Sequence, residues 1–285
     1  RRAPLAAILS SRGLRRLSSA TVRSTAASGS TVYESSRAVD EYLQMHYAPP
    51  DILLPYSFGP VDGLRFPERC AELVARTAPK PSAGMAALDV GCAVGGASFA
   101  LAHHYEAVYG IDFSHAFIGA ANTMKREGSM AYASLVEGTR TEQRLADVTA
   151  GLDRERCAFH QADACELEVL REQGWLRSSG YEAVLAANLL CRLPKPRAFL
   201  RSCARWLVAE RGVLVLVSPF SWLEEYTPQP EWIGGGDADS SGVLEEEMTG
   251  LGFKLILRED VPFLIREHAR KFQWGVSEAT CWVRS

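Results

Sequence analysis

The stretch Leu88-Asp89-Val90-Gly91-Cys92-Ala93-Val94-Gly95-Gly96 constrains the fold more than any other part of this chain. A short apolar run, Ala86–Val90, has the length and bounding signals of a buried strand. Small residues at 91, 93 and 95 follow, and they let the backbone turn tightly and lie close against a ligand. A helical pattern, Ala97–His104, starts at once. Strand, glycine-rich turn and helix in that order open an α/β unit, and the rest of the chain repeats the alternation. Apolar runs at Ala107–Ile111, Cys157–Gln161, Ala183–Ala187 and Val213–Val217 read as further strands. Phe253–Leu257 and Glu278–Val283 complete a set of seven. Helical patterns at Ala116–Glu127, Phe199–Trp206 and Val243–Gly250 lie among them. Such alternation predicts an α/β fold of Rossmann-like type, with a mostly parallel seven-stranded sheet and helices on both faces.

Two helices are expected ahead of this pattern. Tyr33–Tyr47 carries Val39, Tyr42, Leu43 and His46 at helical spacing, and Ala48-Pro49-Pro50 stops it. Phe66–Thr77 has Pro67 in its first turn, where a missing N–H costs nothing. Gly128–Glu155 is long for a connection between helix and strand, so it reads as a polar insertion over the ligand edge of the sheet or as a surface loop. Residues 1–31 differ from the rest: they hold six arginines and seven serines, and the first acid is Glu34. That is the composition of a mitochondrial or plastid transit peptide, and equally of a disordered linker. The folded domain is placed at 32–285. A transit peptide would send it to an organelle; otherwise a cytoplasmic location is expected.

Composition excludes several classes. The net charge of −3 leaves no global basic field for nucleic acid. No run approaches the roughly 20 apolar residues of a membrane-spanning helix. Seven scattered cysteines without a CxxC pair argue against a zinc ribbon or a disulfide framework. His103 and His104 are adjacent on a helix and face different directions, which makes a poor metal site, so no metal is expected.

A glycine-rich turn alone also suits a dinucleotide. Asp89, and Ala93 at the middle position where no pyrophosphate cradle is required, tip it toward S-adenosylmethionine, and four features stand at strands' carboxyl ends, where open sheets bind ligands. Asp89 precedes Gly91, Ala93 and Gly95 and can meet an ammonium group. Asp112 closes the second strand, 17 residues after Gly95, and can accept two ribose hydroxyls, as it would in a nicotinamide enzyme too. Asp163 and Ala164 follow the third strand, the carboxylate placed to accept from an adenine amino group. Asn188 ends the fourth. Asp112 or Asp163 can equally cap the next helix, but four in order point to one cofactor.

Three further stretches match a narrow group: Ala186–Pro194 (AANLLCRLP), Ser218–Pro228 (SPFSWLEEYTP) and Pro262–Trp274 (PFLIREHARKFQW). Together with Tyr33-Glu34-Ser35 and Asp89–Gly95, they resemble the 4-mercaptohistidine N-methyltransferase family, the methylating part of the enzyme that makes ovothiol. The resemblance spans about residues 33–284. It implies a class I, S-adenosylmethionine-dependent methyltransferase that acts on an imidazole nitrogen of a thiol-bearing histidine. In bifunctional relatives this region follows an iron-dependent sulfoxide synthase. Nothing here resembles that synthase, so the chain reads as a stand-alone methyltransferase or as the tail of a longer protein with such a domain or partner upstream.

A zwitterionic substrate needs a cation for its carboxylate. Arg192, just after the fourth strand, is the leading clamp because guanidinium binds carboxylate bidentately, although a surface arginine paired with Glu is an equal reading. Asn188 can orient the imidazole or a ribose hydroxyl. His268 lies in the charged run Arg266–Lys271 and is a candidate base, against the usual reading of such a run as a solvated hairpin. Tyr47, Tyr56, Phe58, Trp222 and Tyr226 are candidates for an aromatic lid, with core packing the competing explanation. Three other functions stay open: a different small-molecule class I methyltransferase, a non-catalytic cofactor-binding partner subunit, and a nicotinamide dehydrogenase.

Overall fold

The computed structural model describes residues 31–80 and 83–285. The expectation for the amino-terminal segment falls outside them, except for Thr31, which opens a turn of 3-10 helix over Thr31–Glu34. Helix α1 (Ser36–Tyr47) then begins where the Ser35 side chain accepts from the Ala38 amide, satisfying one of the orphan donors of the first turn. A single turn, α2 (Pro50–Leu53), follows, and α3 (Phe66–Thr77) has a proline in its first turn.

The sheet unit runs β1 (Ala86–Val90), α4 (Gly96–Leu101), β2 (Ala107–Asp112) and α5 (His115–Glu127). A hairpin, β3 (Ser129–Glu137) and β4 (Arg140–Asp147), interrupts it. It resumes with β5 (Cys157–Gln161), α6 (Leu167–Glu172), β6 (Tyr181–Ala187), α7 (Pro196–Ser202) and β7 (Val208–Ser218). Helix α8 (Ser240–Gly250) and the long strands β8 (Phe253–His268) and β9 (Lys271–Arg284) close the chain.

Seven strands form one sheet in the order β5-β2-β1-β6-β7-β9-β8. Five are mutually parallel; β9 pairs antiparallel with both β7 and β8. The chain winds outward from β1 through β2 to β5, then crosses to β6. The reversal of direction between β1 and β6 leaves a crevice at their carboxyl ends, the ligand position of open α/β sheets. Two apolar layers sandwich the sheet, one with α1, α3, α4 and α5, the other with α6, α7 and α8. Strand β1 feeds both. Ala86, Leu88 and Val90 pack into the second layer, Ala87 into the first, and Asp89, two residues on from Ala87, shares its side. A carboxylate thus sits on a face otherwise made of hydrocarbon.

The structure departs from the sequence reading in three places. The segment read as an insertion over the ligand edge is the β3–β4 hairpin, and it lies against α1, α5 and β8. Strand β4 (RTEQRLAD) is mostly exposed and lacks the apolar alternation that would have marked it. Strands β8 and β9 run far beyond Phe253–Leu257 and Glu278–Val283. The charges Arg258 and Glu259, which look like a loop, are on a strand and paired with Glu245 and Arg76 at 2.7 and 2.6 Å. The helix expected at Phe199–Trp206 is α7 followed by a π-helical turn, Cys203–Leu207.

Candidate active site

The turn after β1 is held by the end of β2. Amides of Gly91 and Cys92 donate to the Ile111 carbonyl at 2.7 and 3.0 Å, and the Ala93 amide donates to the Asp112 carboxylate at 3.0 Å. The other Asp112 oxygen accepts from the Ser114 amide at 2.9 Å. Gly91 and Gly95 have φ of +79° and +91°, values that favour glycine, and Ala93 adopts +47° at some cost. A Cβ on Gly95 would lie 2.9 Å from the Phe159 ring. Gly95 therefore serves the close packing of the turn and α4 against β5, and it does not line the cavity.

That cavity opens at the crevice. Its lining includes Asp89, Gly91, Ala93, Asp112, Asn188 and Arg192, with Phe113, Phe117, Ala162, Ala164 and Leu193. Tyr33, Tyr42, Met45, His46, Phe66, Pro67 and Ile265 line it as well. Asp89 is 2 % exposed, and its carboxylate accepts from the Ser98 hydroxyl at 2.6 Å. Burial, with Asp112 nearby, raises it from the usual carboxylate range to about 7, against the pull of the Ser98 hydrogen bond. Burial likewise raises Asp112 to about 6, opposed by its two amide donors.

Asn188, at the end of β6, has a φ of +52°; its amide nitrogen donates to the Val217 carbonyl, and its Oδ1 accepts from the Ser277 hydroxyl of β9 at 2.7 Å. With the oxygen so engaged, its NH2 is the group left for the cavity. Arg192 stands on the turn Leu190–Arg192; its Nη1 donates to the carbonyls of Cys191 and Ser221 at 3.0 and 2.8 Å. Its guanidinium lies 4.8 Å over the Tyr226 ring, a cation–π contact. Among the described residues no carboxylate lies within ion-pair distance of Arg192. Arg192 is thus a fixed, partly buried cation on the cavity wall.

Other expected residues sit elsewhere. Asp163 does not line the cavity; its carboxylate accepts from the Cys165 amide at 2.8 Å in a turn ahead of α6, whose N-cap is Glu166, while its neighbours Ala162 and Ala164 supply the wall. His268 is at the tip of the β8–β9 hairpin, where Nδ1 accepts from the Arg270 amide, and it is not part of the cavity lining. Of the proposed aromatic lid, Tyr47 donates to the Val94 carbonyl, Tyr56 to that of Ala269, and Trp222 to Ser240. Phe58 is 87 % exposed. Only Tyr226, through Arg192, belongs to the site. Among the described residues no cluster of three or more His, Cys, Asp or Glu is arranged to hold a metal ion, and no helix is long and apolar enough to cross a membrane.

Sequence reasoning missed the cap formed by the amino-terminal segment. The Glu34 carboxylate accepts from the amides of His115 and Ala116 at the start of α5, and the Tyr33 carbonyl accepts from the Ser114 hydroxyl. Tyr33 packs on Tyr42, Phe117 and Tyr226. In the sequence, Tyr42 and His46 stand out only as members of a stripe at helical spacing. Two polar-tipped side chains four apart on that stripe were the available signal.

Comparison with known proteins agrees with the fold. Residues 63–257 match the family model described as a methyltransferase domain. A search of curated proteins finds no match. Among solved structures, magnesium protoporphyrin IX methyltransferase from Synechocystis PCC 6803 with bound SAH is 19% identical, with a TM-score of 0.50 over 89% of this chain and 97% of that one. A structure from work on the conversion of a disulfide bond into a thioacetal group during echinomycin biosynthesis is 17% identical. Its TM-score is also 0.50, over 88% of this chain and 93% of that one.

Proposed function

The chain belongs to the methyltransferase-domain family, with the class I Rossmann-like fold, and from that premise we propose that it transfers a methyl group from S-adenosylmethionine to a ring nitrogen of a thiol-bearing histidine. The cavity fits the cofactor chemically. Asp89 is a buried acid suited to its ammonium group, and Asp112 is an acceptor suited to the ribose hydroxyls. The Phe113, Ala162, Ala164 and Leu193 surfaces suit an adenine ring. A side chain at Gly91 would meet Leu189 at 3.0 Å, narrowing the same wall. When bound, the sulfonium supplies an electrophilic methyl with a good leaving group.

The protein's own residues then have a task of orientation, since holding two reactants in attack geometry is what lowers such a barrier. Arg192, fixed by two carbonyls and Tyr226, suits the carboxylate of an amino-acid substrate. The Asn188 amide, fixed by Ser277, offers a hydrogen-bond donor beside it. A mercaptoimidazole reacting as its thiolate gives a neutral product: the ring nitrogen's lone pair forms the new N–C bond, the C–S bond breaks, and its electron pair stays on the departing sulfur. No proton has to leave, so the displaced position of His268 is no obstacle.

The observation that carries this reading is the meeting of the cofactor motifs with Arg192 and Ile265, drawn from two of the family-like stretches, around one cavity. The third stretch, Ser218–Pro228, braces Arg192 through the Ser221 carbonyl and Tyr226, and braces Leu193 through Thr227. Turnover assayed with 4-mercaptohistidine and with histidine tests it. The thiol substrate is expected to have much the higher kcat/KM, and equal values would overturn the substrate assignment.

A further inference from the structure

Among the described residues His46 is the one imidazole that lines the cavity, and no step above uses it. It stands on α1 and shares the cavity lining with Met45, Phe66, Pro67 and Ile265 among others. Its Nδ1 accepts from the Gly96 amide at 3.1 Å, at the start of α4. Tyr42 and Tyr47 flank the ring at centroid distances of 5.9 and 6.1 Å. A side chain on Gly96 would come within 2.5 Å of Nδ1, so the ring and the turn after β1 are fitted to each other. Burial drives its titration down to about 3, so the ring is neutral at any physiological pH.

A neutral imidazole that accepts at Nδ1 carries its proton at Nε2. Among the described residues, Nε2 has no hydrogen-bond partner, and it is not one of the enclosed polar atoms that lack one. It therefore opens on the cavity, with the Tyr42 and Tyr47 rings beside the imidazole and burial as the cause of its shifted titration. One N–H donor in apolar surroundings suits a soft, polarisable acceptor better than a strongly hydrated carboxylate, whose desolvation a single donor does not offset.

We propose that His46 is a positioning residue for the methyl-accepting molecule: its Nε2–H binds the substrate's sulfur and turns that atom away from the methyl donor, leaving the ring nitrogen to be methylated. This rests on the reading of the protein as a thiol-histidine methyltransferase, and it answers a problem that reading raises. Sulfur is the better nucleophile of the two, so nitrogen selectivity requires that sulfur be held elsewhere. A donor fixed on Gly96 holds it with no charge on the ring and no proton to exchange.

The test compares wild type with His46→Asn and His46→Gln. The Asn Oδ1 takes the place of Nδ1 and keeps the Gly96 contact while deleting the Nε2–H; the Gln amide reaches toward the Nε2 position. The His46→Asn protein is expected to keep cofactor affinity within about threefold. Its kcat/KM for 4-mercaptohistidine is expected to fall by about thirtyfold, the effect of one lost hydrogen bond to a charged acceptor. Part of the methyl should appear on sulfur, and His46→Gln should recover part of the nitrogen product. By calorimetry with SAH present, the wild-type preference for 4-mercaptohistidine over histidine should shrink in His46→Asn. A folded His46→Asn enzyme with unchanged kcat/KM and only N-methyl product overturns the inference alone. So does a matched loss of cofactor affinity, which would make His46 part of the cofactor site. A wild-type enzyme that methylates no thiol-histidine overturns the functional reading itself.

Discussion

Replacing Asp89 with Asn should make the protein more stable and a worse binder of its cofactor. The carboxylate is buried beside a single hydroxyl, and its titration is raised from 3.8 to about 7. At about 1.4 kcal/mol per pKa unit, ionising it in the folded state costs about 4 kcal/mol relative to the unfolded chain. The sign follows from the direction of the shift. Below pH about 4 both states hold the proton and there is no cost; the cost grows as pH rises toward 7 and is complete above it. Asn carries no charge, so at pH 8 it should recover about half of that energy, with the rest lost to an imperfect fit against Ser98. About 2 kcal/mol corresponds to a rise in Tm of about 4–8 °C for a domain of this size. Cofactor affinity should move oppositely. If the ammonium requires an ionised Asp89, wild-type affinity falls about fiftyfold from pH 7 to pH 5, because about one molecule in a hundred is ionised at the lower pH. Asp112, raised to about 6, adds to the wild-type slope, so the component to read is the difference between wild type and variant. Differential scanning calorimetry at pH 5 and 8, with titration calorimetry at pH 5, 6 and 7, measures both effects. A lower Tm for Asp89→Asn at pH 8, or a pH dependence of affinity identical to wild type, refutes the reasoning.

Asp112→Ala removes the acceptor of both the Ala93 and Ser114 amides, so it should cost about 1–3 kcal/mol in cofactor binding and a similar amount in stability, read by calorimetry and chemical denaturation. Glu34→Ala leaves two amides at the start of α5 without their partner and should loosen the amino-terminal cap by about 1 kcal/mol. Faster hydrogen exchange at 33–42 and faster cofactor release in stopped flow would report it; unchanged release would show that the cap does not gate entry. Arg192→Met should lower kcat/KM for 4-mercaptohistidine by about a hundredfold, and far less for its carboxamide, since the lost contact is with the carboxylate. Equal losses on both substrates would assign Arg192 another role.

Much of the sheet was legible because β1, β2, β5, β6 and β7 are buried parallel strands, whose apolar runs between turn signals stand out in one dimension. The β3–β4 hairpin and the far halves of β8 and β9 were not. Their residues are polar on one or both faces, and their pairing depends on partners remote in sequence, such as Arg76 for Glu259. In the site, residues on strand ends and the glycine-rich turn were readable because chain order alone places them at the carboxyl edge. That rule located Asp89, Asp112, Asn188 and Arg192. It also placed Asp163 one step too close, since position along a strand end does not say which way a side chain turns. Phe66 and Ile265 reach the cavity only through the packing of α3 and β8 on the sheet, information that no local pattern contains.

The central claim is most directly tested by locating the methyl group. The full chain is incubated with 4-mercaptohistidine and S-adenosylmethionine carrying a carbon-13 methyl, and the product is examined by mass spectrometry and by carbon–proton and nitrogen–proton NMR correlations. The account requires one added methyl, bonded to a ring nitrogen, with the thiol still free to react with an alkylating probe. A methyl on sulfur, or a folded, cofactor-binding protein that leaves the thiol-histidine untouched, would contradict it.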